Sequence, residues 1–143
     1  MRQKAMAVLA SACPAEMARL WSETGLVVEA ELVRGPETGL VTVRGRIGGG
    51  GAPFNLGEAT VTRATVRLAT GEVGHAYALG RDGGKARLSA TIDAALQRPD
   101  HADLIEARVL APLRSAQATD VKRRQAETAA TKVGFFTMVR GED

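Results

Sequence analysis

Four consecutive glycines, Gly48, Gly49, Gly50 and Gly51, are the first feature of the sequence with chemical potential. Backbone amides without side chains can converge on an anion, so this stretch is a candidate phosphate-binding loop. A Walker loop needs a Gly-Lys-Ser/Thr ending that is missing here, and a dinucleotide fingerprint needs a third glycine where Pro53 or its neighbour stands. Three interpretations stay open: an anion-binding loop, a mobile connection, or a close backbone approach to a partner.

Arginines on either side of this loop are the second candidate. Arg44 and Arg46 precede it, and Arg63 and Arg67 follow it, in stretches that alternate with period two. A guanidinium binds phosphate or carboxylate through two parallel hydrogen bonds. If all four project to one side of a sheet, Arg46 and Arg63 are anion-binding candidates and Arg44 and Arg67 are partner-interface candidates. The alternative is a solvated, partly salt-bridged face that contributes little energy.

The remaining reactive residue types lack the spacing of a catalytic or metal site. Cys13 is the single cysteine, and His75 and His101 have no ligand-like spacing to it or to each other, so no zinc site is expected. One thiolate is too few for an iron–sulfur cluster, which usually takes three or four. No carboxylate pair, Ser-His-Asp set or activated cysteine emerges. We therefore predict no catalytic residue, no metal site and no cofactor bound by this chain alone.

The segment GFFTMVRG carries two of the few aromatic residues, Phe135 and Phe136, together with Met138. Chain ends fray unless packing holds them, and each buried phenylalanine is worth roughly 1.5–3 kcal/mol relative to exposure. We expect these three residues to dock, either on the chain's own sheet or in a groove of a partner. They are assigned as partner-interface candidates.

Length and composition limit the class of protein. The chain has 143 residues and a net charge of +3, which fits one domain with a mild preference for anionic partners. Aromatic residues make up 3% of it, too few for stacking on bases, so nucleic acid is not an expected partner. No stretch approaches the roughly 18 apolar residues of a membrane span, and a lone cysteine suits a reducing compartment.

Apolar periodicity predicts two helices at the start of the chain. The first residues form either an amphipathic helix, with an apolar stripe from Ala5 to Ala12, or the start of a lipoprotein-like signal. The helix is preferred because the apolar run is short for a signal. A second helix begins at Pro14 and ends at Gly25, which suit a first helical position and a helix end.

Three more helices are predicted in the second half of the chain. The first of these helices is capped by Asp82 and broken by Pro99, and a buried stripe runs along it from Leu88 to Leu96. Another runs to Pro112, and the last spans 113–132.

Two hairpins are predicted between these helical regions. In the first, RGPETG is the turn and Arg34 pairs with Gly39, which gives one apolar face and one face of matched charges. In the second, Thr70 and Gly71 form a tight turn. The glycine stretch joins the two hairpins, strand to strand.

These elements predict an α+β fold. It has two N-terminal helices, a four-stranded antiparallel sheet of two hairpins, and three C-terminal helices packed on one face. Residues 1–143 form a single domain in this interpretation, because no repeat, low-complexity linker or shift in composition marks a boundary.

Three stretches of the sequence resemble the G subunit of the bacterial carbon–phosphorus lyase core complex, the PhnG family. They are ETGLVTVRGRIGGGGAPFNLGEATVTRATVRL, ALGRDGGKARLSATIDAALQ and RRQAETAATKVGFFTMVRGE. The resemblance runs from about Ala7 to Glu142, and the ending FFTMVRG is specific together with GEATVTR…GRD. The tetraglycine departs from the family, which commonly has two glycines, another residue and a glycine.

The resemblance implies a cytoplasmic subunit that works in the use of phosphonates as a phosphorus source. The family's complex holds paired G, H, I and J subunits, and an early step exchanges adenine of ATP for a phosphonate. That chemistry is assigned to the I subunit with G assisting, and the radical step with S-adenosylmethionine and an iron–sulfur cluster belongs to J. ATP is then a substrate of the complex. No catalytic residue of the family maps onto this chain.

Two hypotheses follow from the residues and the resemblance together. The first is an accessory subunit that supports formation of α-D-ribose 1-phosphonate 5-triphosphate and is inactive alone. The alternative is a subunit that makes direct triphosphate or phosphonate contacts through the Gly48–Gly51 loop and the sheet-face arginines. Both predict a hetero-oligomer with I, H and J subunits, and a homodimer of the isolated chain stays open.

Overall fold

The structure, a computed structural model, describes residues 2–131 and has an α+β architecture. One antiparallel sheet of three strands packs against helices. The elements before the last helix are α1 (Arg2–Ser11), α2 (Pro14–Glu23), β1 (Ala30–Arg46), β2 (Pro53–Leu68), β3 (Val73–Leu79) and α3 (Gly83–Ala95). The predicted arrangement of four strands with two helices before them and three after is therefore wrong.

The last helix of the described region, α4, is continuous over 99–130. It consists of α-helical Pro99–Ile105, a π-helical turn at Glu106–Leu110 and α-helical Ala111–Ala130. The predicted helix end at Pro112 is wrong. In the π turn the amide of Ala111 donates to the carbonyl of Glu106, five residues back. This wider turn moves the preceding carbonyl groups away from the ring of Pro112, which would otherwise clash with them. The two helices predicted on either side of Pro112 are therefore a single helix.

β1 and β2 form one long hairpin in a sheet of order β1-β2-β3. The predicted turn at RGPETG is wrong, because Arg34 pairs with Thr65 and Gly39 with Val61 on the neighbouring strand β2. Register shifts between Leu32 and Glu37 take up the turn residues as bulges. Proline is tolerated in this segment since β1 is an edge strand, where a missing amide need not break a ladder bond.

The second predicted hairpin is confirmed. β2 and β3 pair antiparallel on either side of Thr70 and Gly71, and Gly71 has φ +105°, a conformation that glycine adopts without steric cost. Side chains alternate as predicted, with Ala64, Val66 and Leu68 buried on the side of the helices. The other side, which we call the open face, carries Arg63 and Arg67 of β2.

Helix α3 packs directly against β2 and β3. Asp82 caps it as predicted, since its carboxylate accepts a hydrogen bond from the amide of Lys85 at 2.8 Å. Gly74 on β3 permits the close approach of the helix, because a Cβ there would lie 2.0 Å from the carbonyl oxygen of Ala90. Helix and sheet are therefore in contact through backbone at this point.

The two N-terminal helices are confirmed. Pro14 opens α2, and Gly25 follows its end with φ +69°, as a left-handed glycine at a helix end does. The apolar stripe of the first helix is buried in the core: Ala5, Val8, Leu9 and Ala12.

A buried carboxylate ties α1 to the sheet layer. Asp93 on α3 is fully buried and accepts two hydrogen bonds from the guanidinium of Arg2, at 2.9 and 2.7 Å. It also accepts one from the amide of His75 on β3, at 2.8 Å. The hydrogen bond that the guanidinium of Arg2 donates to Asp93 raises the pKa of Arg2 above its ordinary value. Burial of the charge is tolerated because its oxygens are satisfied by these partners.

Candidate functional site

The outer half of the β1–β2 hairpin extends beyond the third strand. β3 pairs with β2 only from Val61 to Arg67, whereas β1 and β2 stay paired as far as Arg46 and Pro53. Residues 39–60 thus form a two-stranded ribbon that we call the arm. At about 3.3 Å per residue the arm is roughly 25 Å long.

The four glycines form the tip of the arm, as predicted for a connection from strand to strand. Ile47–Gly49 make a short 3-10 turn in which Gly48 has φ +60°, a left-handed conformation that favours glycine. The amides of Gly50 and Gly51 both donate to the carbonyl oxygen of Ile47. Two of the four glycine amides are therefore used inside the turn itself.

Arg46 lies against this tip. Its Nη1 donates to the carbonyl oxygen of Gly51 at 3.2 Å, which places a guanidinium beside the glycines. Arg44, two residues earlier, projects to the same side of β1 because side chains alternate along a strand. Within residues 2–131, neither arginine has a carboxylate at salt-bridge distance.

Arg63 and Arg67 lie on the open face and are both salt-bridged. Glu37 accepts hydrogen bonds from Nε of Arg34 at 2.9 Å and from Nε of Arg63 at 3.1 Å. Glu31 accepts one from Nη2 of Arg67 at 3.0 Å. The pKa of Glu37 is lowered below its ordinary value, chiefly because its carboxylate accepts the hydrogen bond from Arg34.

The structure does not bring the two anion-binding candidates together. Arg63 lies opposite Glu37, and Arg46 lies opposite Pro53, so the two arginines are roughly 30 Å apart along the ribbon. They also project to opposite sides of the ribbon. Arg63 shares a side with its partner Glu37, and Glu37 and Arg46 are an odd and an even position of β1 with no inserted residue between them. The extra residue of the bulge, Leu56, belongs to β2 and does not change this alternation. A single small ligand cannot contact both arginines of one chain.

The partner-interface candidates have different surroundings. Arg44 belongs to the arm, and Arg67 belongs to the salt-bridged open face. Phe135, Phe136 and Met138 lie outside the described residues. Their assignment stays a prediction.

The described part of the chain contains neither a metal-binding cluster nor a helix suited to span a membrane. No group of three or more His, Cys, Asp or Glu residues within 2–131 is arranged to hold a metal ion. None of the described helices combines the length and the apolar character that crossing a bilayer requires.

The apolar side chains of the arm were not among the site residues predicted from the sequence. Val43, Phe54 and Leu56 are exposed on the ribbon, although residues of these types are normally placed in a core. The available signal was the glycine stretch between two alternating segments, which is typical of a hairpin tip. The competing turn signal at RGPETG concealed it.

An exposed apolar ribbon beside a salt-bridged sheet face is typical of a protein that works by binding other chains. Over residues 1–141 the chain matches the family described as phosphonate metabolism protein PhnG. It is 54% identical over 142 residues to alpha-D-ribose 1-methylphosphonate 5-triphosphate synthase subunit PhnG of Rhizobium meliloti (strain 1021), a match that covers 99% of this chain and 90% of that relative. The chain belongs to the PhnG family, and the resemblance seen in its sequence is confirmed.

Proposed function

We propose that this chain is an accessory subunit of the carbon–phosphorus lyase core complex. It supports the exchange of adenine of ATP for a phosphonate, which forms α-D-ribose 1-phosphonate 5-triphosphate. The observation that carries the proposal is the 54% identity to a relative named as a subunit of ribose 1-methylphosphonate 5-triphosphate synthase. The projecting arm supports it, because an exposed apolar ribbon suits assembly with other chains.

The partners in this proposal are the H-, I- and J-type subunits, in a cytoplasmic hetero-oligomer. ATP is a substrate of the complex, and this chain binds no cofactor by itself. The separation of Arg46 from Arg63 supports this division of labour, because triphosphate binding calls for several cationic groups converging on one ligand. A role in shaping or stabilising the active site of another subunit requires no such convergence.

Reconstitution of the complex with and without this chain tests the proposed function. The other subunits are co-expressed with the wild-type chain or without it and incubated with ATP and methylphosphonate, and adenine release is measured by chromatography. We expect adenine release from the complete complex and none from the purified chain alone. Turnover by the purified single chain, abolished by one point substitution in it, would contradict the accessory role.

A second candidate function, direct contact with the triphosphate, is favoured by the position of Arg46 beside the glycine tip. In this proposal the arm delivers Arg46 and the Gly48–Gly51 loop to an active site on another subunit. Arg46→Ala then raises the KM for ATP of the assembled complex about tenfold or more, since a charge-assisted contact is worth roughly 1.5–3 kcal/mol. Arg63→Ala is the matched control, because its guanidinium is already paired with Glu37. Equal KM values for the two variants would leave only the accessory role.

A further inference from the structure

We propose that the arm, residues 39–60, is a docking element that inserts into an apolar groove, rimmed by carboxylates, on a different protein chain. The inference rests on the proposed function in one respect, namely that the chain carrying the groove is another subunit of the same complex. It goes beyond that function by assigning the contact to one segment and by specifying the chemistry of the surface that receives it.

An apolar strip runs along one side of the arm. From Glu37 to Arg46, the positions of β1 that share a side with Glu37 are odd-numbered, and their partners on β2 are set by the register. Leu56, the extra residue of the bulge, lies over the backbone of Gly45 on this side, since a Cβ on Gly45 would be 2.4 Å from its Cδ1. The strip continues onto the open face of the sheet and consists of Val41, Val43, Phe54, Leu56, Ala59, Tyr77 and Leu79. Val61, which lies on the same side, is buried at 4% exposure and is not part of the strip.

The strip lacks a covering layer in the described part of the chain. Phe54 is 40% exposed and Leu56 is 61% exposed, and the helices contact the sheet on its other side. A two-stranded ribbon is marginally stable in water unless a third strand or a packed layer supports it. The arm offers roughly twenty residues, which is what one side of a standard protein–protein interface contributes. Docking into a groove supplies the missing layer.

The charges of the arm determine which groove fits. Arg44 and Arg46 project from the side opposite the strip, and Glu58 is the one acidic residue within 39–60. An apolar groove that receives the strip and presents carboxylates to these arginines is complementary in both respects. Charge complementarity of this kind favours one partner over others and accelerates its association.

Neither the apolar cavity beside α1 nor the open face of a second copy presents such a groove. The apolar cavity of about 670 Å³ between α1, α3 and α4 is bordered by three cations and two anions: Arg2, Lys4, Arg114, Asp103 and Glu106. The open face likewise carries three arginines against two glutamates, in the ion pairs described above. The charges of both surfaces are largely paired: Arg2 with Asp93 and Arg114 with Glu106 at the cavity, and Glu31 and Glu37 with arginines on the open face. Neither surface therefore presents a rim of free carboxylates to Arg44 and Arg46. A different chain is therefore the occupant we expect.

Substitutions in the arm, measured against the other subunits of the complex, test the inference. The double variant Phe54→Asp/Leu56→Asp removes the apolar strip, and Val27→Asp is its matched control, because Val27 is 94% exposed and lies outside the arm. Arg44→Glu reverses a charge of the arm, and Arg87→Glu is its matched control at an exposed position of α3. Each full-length variant is titrated against the co-expressed other subunits, and its melting temperature and circular dichroism are recorded alone.

We expect the double variant to weaken association about tenfold or more, and Arg44→Glu to weaken it less at high salt than at low salt. Both controls and all melting temperatures stay near the wild type. Normal association of the double variant would overturn the docking role alone, while the proposed function stands. A wild-type chain that fails to join the other subunits would overturn the proposed function and this inference with it.

A photo-crosslinking residue at position 47, at the tip of the arm, identifies the occupant directly. Crosslinking to another subunit supports the inference, whereas crosslinking to a second copy of this chain, seen at twice its mass, would overturn it. The same crosslinker at position 27 is the control and should give neither product.

Discussion

The two halves of strand β2 show how one chain segment serves two purposes. Leu68 in the inner half is 3% exposed, whereas Leu56 in the outer half is 61% exposed. Both belong to the same strand, but Leu68 faces the helices, whereas Leu56, the extra residue of the bulge, lies on the side of the open face. The inner half lies between β1 and β3 and under α3, while the outer half has only β1 beside it. Whether an apolar residue stabilises the fold or remains available for binding depends on the layer next to it.

Helix α4 shows the same division. Its first part buries Ile105, Val109, Leu110 and Leu113 in the core. Beyond residue 113 no described position of the helix is buried, and Val121 is exposed. The molecule thus has a packed body and two extensions. The arm carries more exposed large apolar residues, Leu40, Val43, Ile47, Phe54 and Leu56, than the described end of the helix, where Val121 is exposed.

The largest expected effect separates the two leucines. Leu68→Ala removes a buried side chain and leaves a cavity, so it should lower the free energy of unfolding by about 2–5 kcal/mol. Leu56→Ala should change it by less than about 0.5 kcal/mol, as surface substitutions usually do. Urea denaturation of both variants measures the difference. Equal losses would mean that the arm belongs to the folded core.

A pair of glycines sharpens the comparison. Gly74→Ala places a Cβ 2.0 Å from the carbonyl oxygen of Ala90, and the resulting overpacking should cost about 1–3 kcal/mol. Gly39→Ala in the arm meets no atom within 4 Å and should leave the melting temperature near that of the wild type. A stable Gly74→Ala variant would show that α3 can move away from β3 at little cost.

The buried carboxylate of the body gives a smaller effect. Arg2→Met leaves Asp93 without its charged partner and should destabilise by about 1–3 kcal/mol, below the value for a fully buried pair because the guanidinium is half exposed. Arg44→Met in the arm is the control, since no carboxylate of the described residues pairs with Arg44. Thermal unfolding at neutral pH compares the two, and the inference about Asp93 fails if both variants melt alike.

The smallest effect is a pH dependence where the arm joins the sheet. The pKa of Glu37 is lowered in the folded state, chiefly by Arg34, so its ionised form stabilises the fold above the unfolded pKa, and this contribution is lost as pH falls through the folded pKa. The gap in melting temperature between the wild type and Glu37→Gln should therefore shrink from about pH 5 to about pH 3. Glu58→Gln, whose side chain forms no ion pair within 2–131, should show no such change.

Local signals in the sequence were sufficient for several elements of the fold. The cap at Asp82, the helix start at Pro14 and the left-handed Gly25 each depend on hydrogen bonds and dihedral angles within one turn. The turn at Gly71 depends on an equally short segment. The sequence also determined the family over almost its whole length, because family membership is a property of the residues in order and does not require their coordinates.

Tertiary structure decided how the strands pair and where the candidate site residues lie. RGPETG satisfies the local rules for a turn, but pairing of β1 with β2 along their whole length absorbed Pro36 on an edge strand, and the hairpin tip moved to the glycines. That change placed Arg46 at the end of an arm and Arg63 in a salt bridge with Glu37, on the opposite side of the ribbon. Register depends on contacts between residues far apart in sequence, so alternation alone cannot show which strand a residue faces or whether a layer covers it.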